Sequence, residues 1–248
     1  MIRVEFEQGL EWDCLTMFRN TLNKISRYIF SCKTMVFYDY SYDRFIPGYV
    51  PPQDGLNVRQ LGSEDVSELA EILRLQASKE TFFEPAFGVA DARARLQQGE
   101  YCFVCENGGN IIGYLWFCAT SKYIPEIQST LVLEPCEVYV YNAYVVPDFR
   151  GRDIVPRLYK VGRSLLADRG IKREVIARMK WNQSPERVLS NKVNAVAIGD
   201  VSVGFFLTFR FVQQRCKSIN LVSQGSPFEF YKKLFNKISQ PVRQSPER

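Results

Sequence analysis

The chain has 248 residues, of which 46% are hydrophobic and 24% charged, with a net charge of +5 and no histidine. Ser-His-Asp, Cys-His and histidine–zinc chemistry are thereby excluded, and acid–base work falls to Glu, Asp, Tyr, Cys, Lys, water or the substrate. No apolar run approaches the roughly 18 residues of a membrane span, and the opening MIRVEFEQGLEWD lacks the apolar segment of a signal peptide, so a cytoplasmic protein with no membrane partner is the default expectation.

In chain order, residues 1–55 read as an N-terminal helix–strand extension. Leu15, Phe18, Leu22, Ile25 and Ile29 recur at helical spacing and predict a helix from Gly9 to about Phe30; TMVFYDYSY reads as a strand, and IPGYVPPQDG as a linker. Two roles stay open for this extension: capping an active site or making a homodimer.

From Leu56 the pattern tightens into a domain expected over 56–222. LNVRQL reads as a short strand, and Ser63 as the cap of a helix with the apolar stripe Val66, Leu69, Ile72, Leu73. GVADARARLQQ fits a second helix, and YCFVCE–NGGN–IIGYLWFC a hairpin around a glycine turn. Strand alternation sends Cys102 and Cys105 to opposite faces, so free buried thiols are expected rather than a metal or redox pair. TSKYIPEIQ, 120–128, reads as a loop over an acceptor site, with Tyr123 and Glu126 as exposed candidates, and Trp116 reads as core.

EVYVYNAYVV, 137–146, is a long strand, followed by RGRDIV and the helix PRLYKVGRSLLADRG with Gly170 as its stop. REVIARMK is a strand, SPERVLSNK a short helix with Ser184 as cap and Pro185 at its first position, and AVAIGDVSVGFFLTFRFVQQ one or two strands. SPFEFYKKLFNKI opens a C-terminal amphipathic helix and tail over 223–248. Between Asp148 and Lys180 ten Lys/Arg face four Asp/Glu, a surplus larger than that of the whole chain. A positive field beside a turn suits an anionic ligand or an acidic partner, and no aromatic–basic alternation argues for nucleic acid.

VVPDFRGRDIVPRLYKVGRSLLADRG resembles motif A of the GCN5-related N-acetyltransferases, the GNAT superfamily, in which a strand ends in V-x-P-x-x-R-G-x-G-[IV]-G before a helix. CFVCENGGNIIGYLW is similar to that family's second and third strands, and WNQSPERVLSNKVNAVAIG to its following segment, with Asn182, Arg187, Val188, Leu189, Lys192 and Gly199 near family positions. The resemblance spans about 56–215. It implies an α/β (α+β) fold with a mixed, mostly antiparallel sheet flanked by helices. It further implies an acyl-CoA-dependent N-acetyltransferase using acetyl-CoA or another acyl-CoA, with no metal, on the amine of a small molecule such as an amino sugar or amino-acid derivative. An N-acyltransferase taking a longer chain from acyl carrier protein, and a non-catalytic binding module, remain as alternatives. Carried over position by position, the cofactor residues are Val145, Val146, Arg150, Gly151, Arg152, Asp153, Ile154, Val155, Asn182 and Arg187.

Helix-start amides and the helix dipole favour an anion there. Arg150 and Arg152 can add charge-assisted bonds to phosphate, and Arg157, Lys160 and Arg163 can neutralise a further phosphate or attract a carrier protein. Asp153 and Val155 stand where the family has glycine. Asp is a favoured cap, so Asp153 either bonds the amides that should hold phosphate or turns outward and leaves them open. On the preceding strand, alternation puts Glu137, Tyr139, Tyr141 and Ala143 on one face unless a bulge intervenes. Glu137 is the candidate general base through water, with Glu134 a weaker one; Tyr139 and Tyr141 line the acceptor site or relay protons.

Overall fold

The structure, a computed structural model, describes residues 30–44, 55–79, 87–206, 209–216 and 218–223. The helix expected from Gly9 and the tail helix expected at 226–238 lie outside these residues. The strands are β1 (Phe30–Ser41), β2 (Leu56–Gln60), β3 (Tyr101–Asn107), β4 (Asn110–Cys118), β5 (Lys122–Ile124), β6 (Ser129–Val132), β7 (Glu137–Val145), β8 (Arg173–Met179), β9 (Val196–Phe206), β10 (Phe209–Gln214) and β11 (Asn220–Ser223). The helices are α1 (Ala70–Lys79), α2 (Val89–Gln97), α3 (Ile154–Ala167) and α4 (Ser184–Asn191). One sheet runs β10-β9-β1-β8-β7-β4-β3-β2 and a smaller one β11-β6-β5. Within the large sheet β7 and β8 run parallel, and every other neighbouring pair is antiparallel. This is the mixed, mostly antiparallel sheet with flanking helices that the motif order implies.

The strand in the N-terminal segment is an internal one: β1 pairs with β8 on one side and β9 on the other. Its alternation buries two rows, Met35 and Phe37 towards one face and Tyr38, Tyr40 and Tyr42 towards the other. A strand covered on both faces reads as a near-continuous apolar run, which is the character of TMVFYDYSY. The stretch expected as a loop at 120–128 contains β5, paired antiparallel with β6. Ser63 makes no side-chain cap bond; a 3-10 turn over Glu64–Leu69 leads into α1, and its apolar stripe is buried as expected. Ser184 is the first residue of α4 rather than its cap, with Gln183 before it.

Helix α3 lies on one face of the sheet and packs Ile154, Leu158, Tyr159 and Leu166 against Phe103, Leu115, Phe117 and Val140. Gly162 permits the close approach, since a Cβ there would sit 2.7 Å from the Phe117 ring. On the other face α1 and α2 cover Cys102, Val104, Tyr114 and Trp116, while β5 and β6 bring Ile124, Ile127 and Leu131 over Phe37, Tyr139 and Val175. The hairpin thiols therefore do face opposite sides, free and buried, and burial pushes the Cys105 thiol up to about 11.

The deepest polar group is Glu174, fully enclosed. Its carboxylate accepts from Arg163 Nη2 at 2.7 Å, Arg163 Nε at 3.0 Å and the Tyr42 hydroxyl at 2.9 Å. Arg163 also donates to the Val193 carbonyl at 3.0 Å and lies 3.3 Å from the centre of the Tyr40 ring. These contacts join α3, β8 and the end of β1, so the N-terminal strand is tied to the motif helix through one ion pair. Glu174→Ala leaves an uncompensated buried cation and is expected to cost about 3–5 kcal/mol, read as a lower urea midpoint. Adding Arg163→Met is expected to recover part of that loss; a double variant less stable than the single one would refute this reading.

Candidate active site

The central strands part. β7 and β8 exchange hydrogen bonds from Glu137/Arg173 to Val140/Ile176 and then stop, so Tyr141–Val145 and Ala177–Met179 diverge into a fork. At the same level β7 has a bulge: the register with β4 shifts between Tyr114 and Trp116, and Asn142 takes φ 50°. A bulge adds a residue and reverses the alternation beyond it. The expected face of Glu137, Tyr139, Tyr141 and Ala143 is corrected accordingly. Tyr144, not Ala143, continues the buried face, and Ala143 is exposed.

Beyond the fork's mouth comes the turn. Gly151 has φ 82° with no neighbour within 4 Å of an added Cβ, and Asp153 takes the left-handed conformation, φ 55° and ψ 28°. Asp153 makes no cap bond to the helix; its carboxylate pairs instead with Lys192 at the end of α4. Of the two alternatives, the outward one is realised. Among the described residues, the N–H groups of Gly151, Arg152, Asp153, Ile154 and Val155 have no protein acceptor. Consecutive amides in such alternating conformations form an anion-binding concavity, and the start of a fourteen-residue helix adds its dipole. Pro156 is the third helical residue, still within the turn where a missing N–H costs nothing.

Around this turn, Arg150 donates from Nε to the Val145 carbonyl at 3.1 Å, which ties the turn to the strand end. Val145 and Ile154 are buried and Val155 packs against the same core, so these three present backbone rather than side chain. Val146 donates its N–H to Ile112. Arg152 is exposed over the Phe149 ring. Asn182 is half-buried and offers its carbonyl to Arg178 at 3.1 Å, and Arg187 is exposed on α4. Arg163 is not a surface cation: the Glu174 pair takes it inside, so it cannot meet a phosphate or a carrier protein.

The three residues expected to do the chemistry separate. Glu137 sits in the closed part of the β7/β8 pair, four positions before the fork opens. Arg173 binds its carboxylate, and the Glu134 N–H donates to it at 3.0 Å. These groups line an open cavity of about 430 Å³ at the far end from the turn. Tyr139 is buried with its ring stacked on Tyr141, centroids 5.4 Å apart. Tyr141 is the first residue past the last β7/β8 pair, and its hydroxyl donates to Glu100. Burial, and the Glu100 charge, hold the Tyr141 phenol above its ordinary range, so it keeps its proton at neutral pH. Tyr123 is exposed and Glu126 half-buried.

Three residues beside Tyr141 escaped the sequence reading. Glu100 is buried before β3 and pairs with Lys122 of β5. Arg95 of α2 lies over the rings of Phe87 at 3.9 Å, Tyr141 at 5.0 Å and Trp116 at 5.3 Å. Glu100 carried a legible signal: a lone carboxylate immediately before an apolar strand that alternation buries on both faces.

The sequence over residues 66–188 matches the Acetyltransferase (GNAT) family. Residues 66–188 are a GNAT acetyltransferase domain. By family it is an acyltransferase, and the match takes in α1 through most of α4, hence the fork and the turn. Among solved structures, an aminoglycoside acetyltransferase from an uncultured soil sample is 17% identical, with TM-score 0.46, over 57% of this chain and 90% of its own. A putative GNAT acetyltransferase from Novosphingobium aromaticivorans is 14% identical, with TM-score 0.47, over 74% of this chain and 66% of its own. An aminoglycoside N-acetyltransferase solved with CoA is 18% identical, with TM-score 0.41, over 54% and 87%. No curated protein sequence matches the chain. The assignment to GNAT therefore rests on the sequence match and on the fork and turn.

The turn fits the pyrophosphate of an acyl-CoA, because its amides are open and the one carboxylate in it is turned away. Asp153→Gly removes only an exposed ion pair and is expected to change CoA affinity by calorimetry less than about threefold. Gly151→Ala puts a Cβ at a left-handed position and is expected to cost about 1–2 kcal/mol of stability and to weaken CoA binding. A marked tightening in Asp153→Gly would mean that the carboxylate does compete.

Proposed function

We propose that the chain transfers an acetyl group from acetyl-CoA to the amine of a small molecule by direct attack in a ternary complex. The observation that carries this reading is the outward Asp153, which leaves a run of amides open at the helix start beside the parted strands. In the proposal the N–H groups from Gly151 to Val155 and the side chains of Arg150 and Arg152 bind the diphosphate. The unpaired edges of β7 and β8 accept the pantetheine arm, with Val145 and Val146 at the end of the β7 edge. Asn182 and Arg187 flank the mouth. Acetyl-CoA supplies the thioester carbonyl that the amine attacks.

The nitrogen–carbon bond forms as the carbon–sulfur bond breaks, CoA leaves as its thiolate and takes up a proton from solvent, and the amine must shed a proton. Glu137 is held by Arg173 in the closed part of the pair, so the proton route is assigned to Tyr141 and Glu100. The Tyr141 oxygen takes the amine proton as its own passes to the Glu100 carboxylate. Lys122, paired with that carboxylate, keeps it oriented. The carrier-protein reading loses support with Arg163 turned inside, since that removes a cation from the exposed face of α3.

Thermal shift tests the donor half. A ligand present at 100 times its Kd adds about 2.7 kcal/mol to apparent stability, so CoA and acetyl-CoA are each expected to raise the Tm by several degrees. No shift with either would sink the proposal, and turnover supported by acyl carrier protein alone would replace it. Tyr141→Phe is expected to lower kcat by roughly a hundredfold with acetyl-CoA affinity unchanged. A kcat equal to that of the unmodified chain would remove Tyr141 from the proton route.

A further inference from the structure

The group of side chains around Tyr141 contains two donors without acceptors. Trp116 is fully enclosed, and neither its Nε1 nor Arg95 Nη1 finds a hydrogen-bond partner, although both atoms are buried. They belong to one cluster: the Arg95 guanidinium carbon lies 5.3 Å from the Trp116 ring centre, and Trp116 stands opposite Tyr141 in the β4/β7 register. Buried N–H groups are nearly always paired, because an unmet donor costs the full loss of its hydration. Two such unmet donors among the described residues fall within this one cluster.

Charge points the same way. Arg95 makes no ion pair among the described residues. The carboxylate within the cluster, Glu100, is already engaged by Lys122 and by the Tyr141 hydroxyl. Counting Arg95, Lys122 and Glu100, the cluster carries one positive charge in excess. The faces of Phe87 and Tyr141 hold the guanidinium through its π surface, which leaves its planar N–H edge for an acceptor. A guanidinium edge matches a carboxylate in shape and charge, and a neighbouring indole N–H adds a third donor.

Resting on the acetyltransferase reading above, we infer that Arg95 and Trp116 bind a carboxylate of the acceptor, so that the substrate class is an amine that also carries a carboxylate, as in an amino acid. The carboxylate bound at Arg95 and Trp116 anchors the molecule beside Tyr141. The amine is left towards the fork, where the Tyr141 oxygen can take its proton. An amino sugar without an acid group offers these donors only neutral hydroxyl acceptors, without the charge and bidentate fit of a carboxylate.

The test pairs glycine and phenylalanine with their primary amides as acceptors, using acetyl-CoA and the full chain. The acid of each pair that turns over is expected to have the higher kcat/KM, mostly through a lower KM. Arg95→Gln is expected to reduce the acid-to-amide ratio by about 10- to 100-fold, and Trp116→Phe, which keeps the ring and loses the N–H, by about fivefold. Calorimetry with N-acetylglycine and N-acetylphenylalanine against their amides, in the presence of CoA, gives the same comparison without turnover. Acid and amide of equal potency in both assays, or an acid preference that survives Arg95→Gln, would overturn the carboxylate site while leaving the acetyltransferase reading standing. Arg95-dependent binding of the acids with no transfer to any amine would do the reverse.

Discussion

Everything at this site follows from two parallel strands that stop pairing halfway along. Below Val140 and Ile176 the backbones of β7 and β8 satisfy each other; above them they do not. Backbone groups deprived of a sheet partner need another one, and a fork between diverging strands offers them to an extended, amide-bearing ligand. The bulge at Asn142 belongs to the same event, because it re-aims β7 as it leaves its neighbour. The closed end is clamped on both faces. Arg163, Glu174 and Tyr42 tie it to α3 on one side, and Arg173 joins Asp39 and Glu137 on the other. Both clamps recruit β1, so the N-terminal strand holds the sheet that the fork opens from.

The helix after the fork makes the second half of the site. Gly162 lets α3 settle closely on the Phe103 and Phe117 rings, and the helix start lies just past the end of β7. A turn with an acidic residue in place of glycine remains compatible with an anion, because the left-handed backbone of Asp153 swings its side chain towards Lys192. The amide run thus stays open with Asp153 in place, by the outward one of the two placements the sequence allows. In the proposed reading the amides that take the diphosphate sit with α3, and the Tyr141, Glu100 and Arg95 cluster sits with α2 on the other face of the sheet.

Much of this was legible in the sequence because it is local. The β3/β4 hairpin, the stripe of α1, the strand–turn–helix of 137–167 and the opposed cysteines all follow from periodicity and turn residues a few positions apart. The placement of β1 was not legible, since nothing within FSCKTMVFYDYS names β8 and β9 as its neighbours; strand order is a long-range property. The bulge at Asn142 was equally hidden, and it alone moved Ala143 off the expected face. Arg163 is legible in the sequence: it falls four residues after Tyr159 on the buried stripe of α3, where a lone arginine calls for a buried partner, and helical periodicity outweighs the charge run around it. Glu137 shares a face with Tyr139 and Tyr141, but face says nothing about distance along a strand, and Glu137 lies four positions into the closed pair.

The central claim is that the five amides from Gly151 to Val155 are open and bind the diphosphate of CoA. Amide NMR of the labelled chain, titrated with CoA, addresses it directly. The account predicts that these five resonances move together, saturate with the calorimetric Kd, and exceed the shifts at Glu137 and Arg173 at the closed end. Saturating CoA that leaves Gly151 to Val155 unmoved would contradict it.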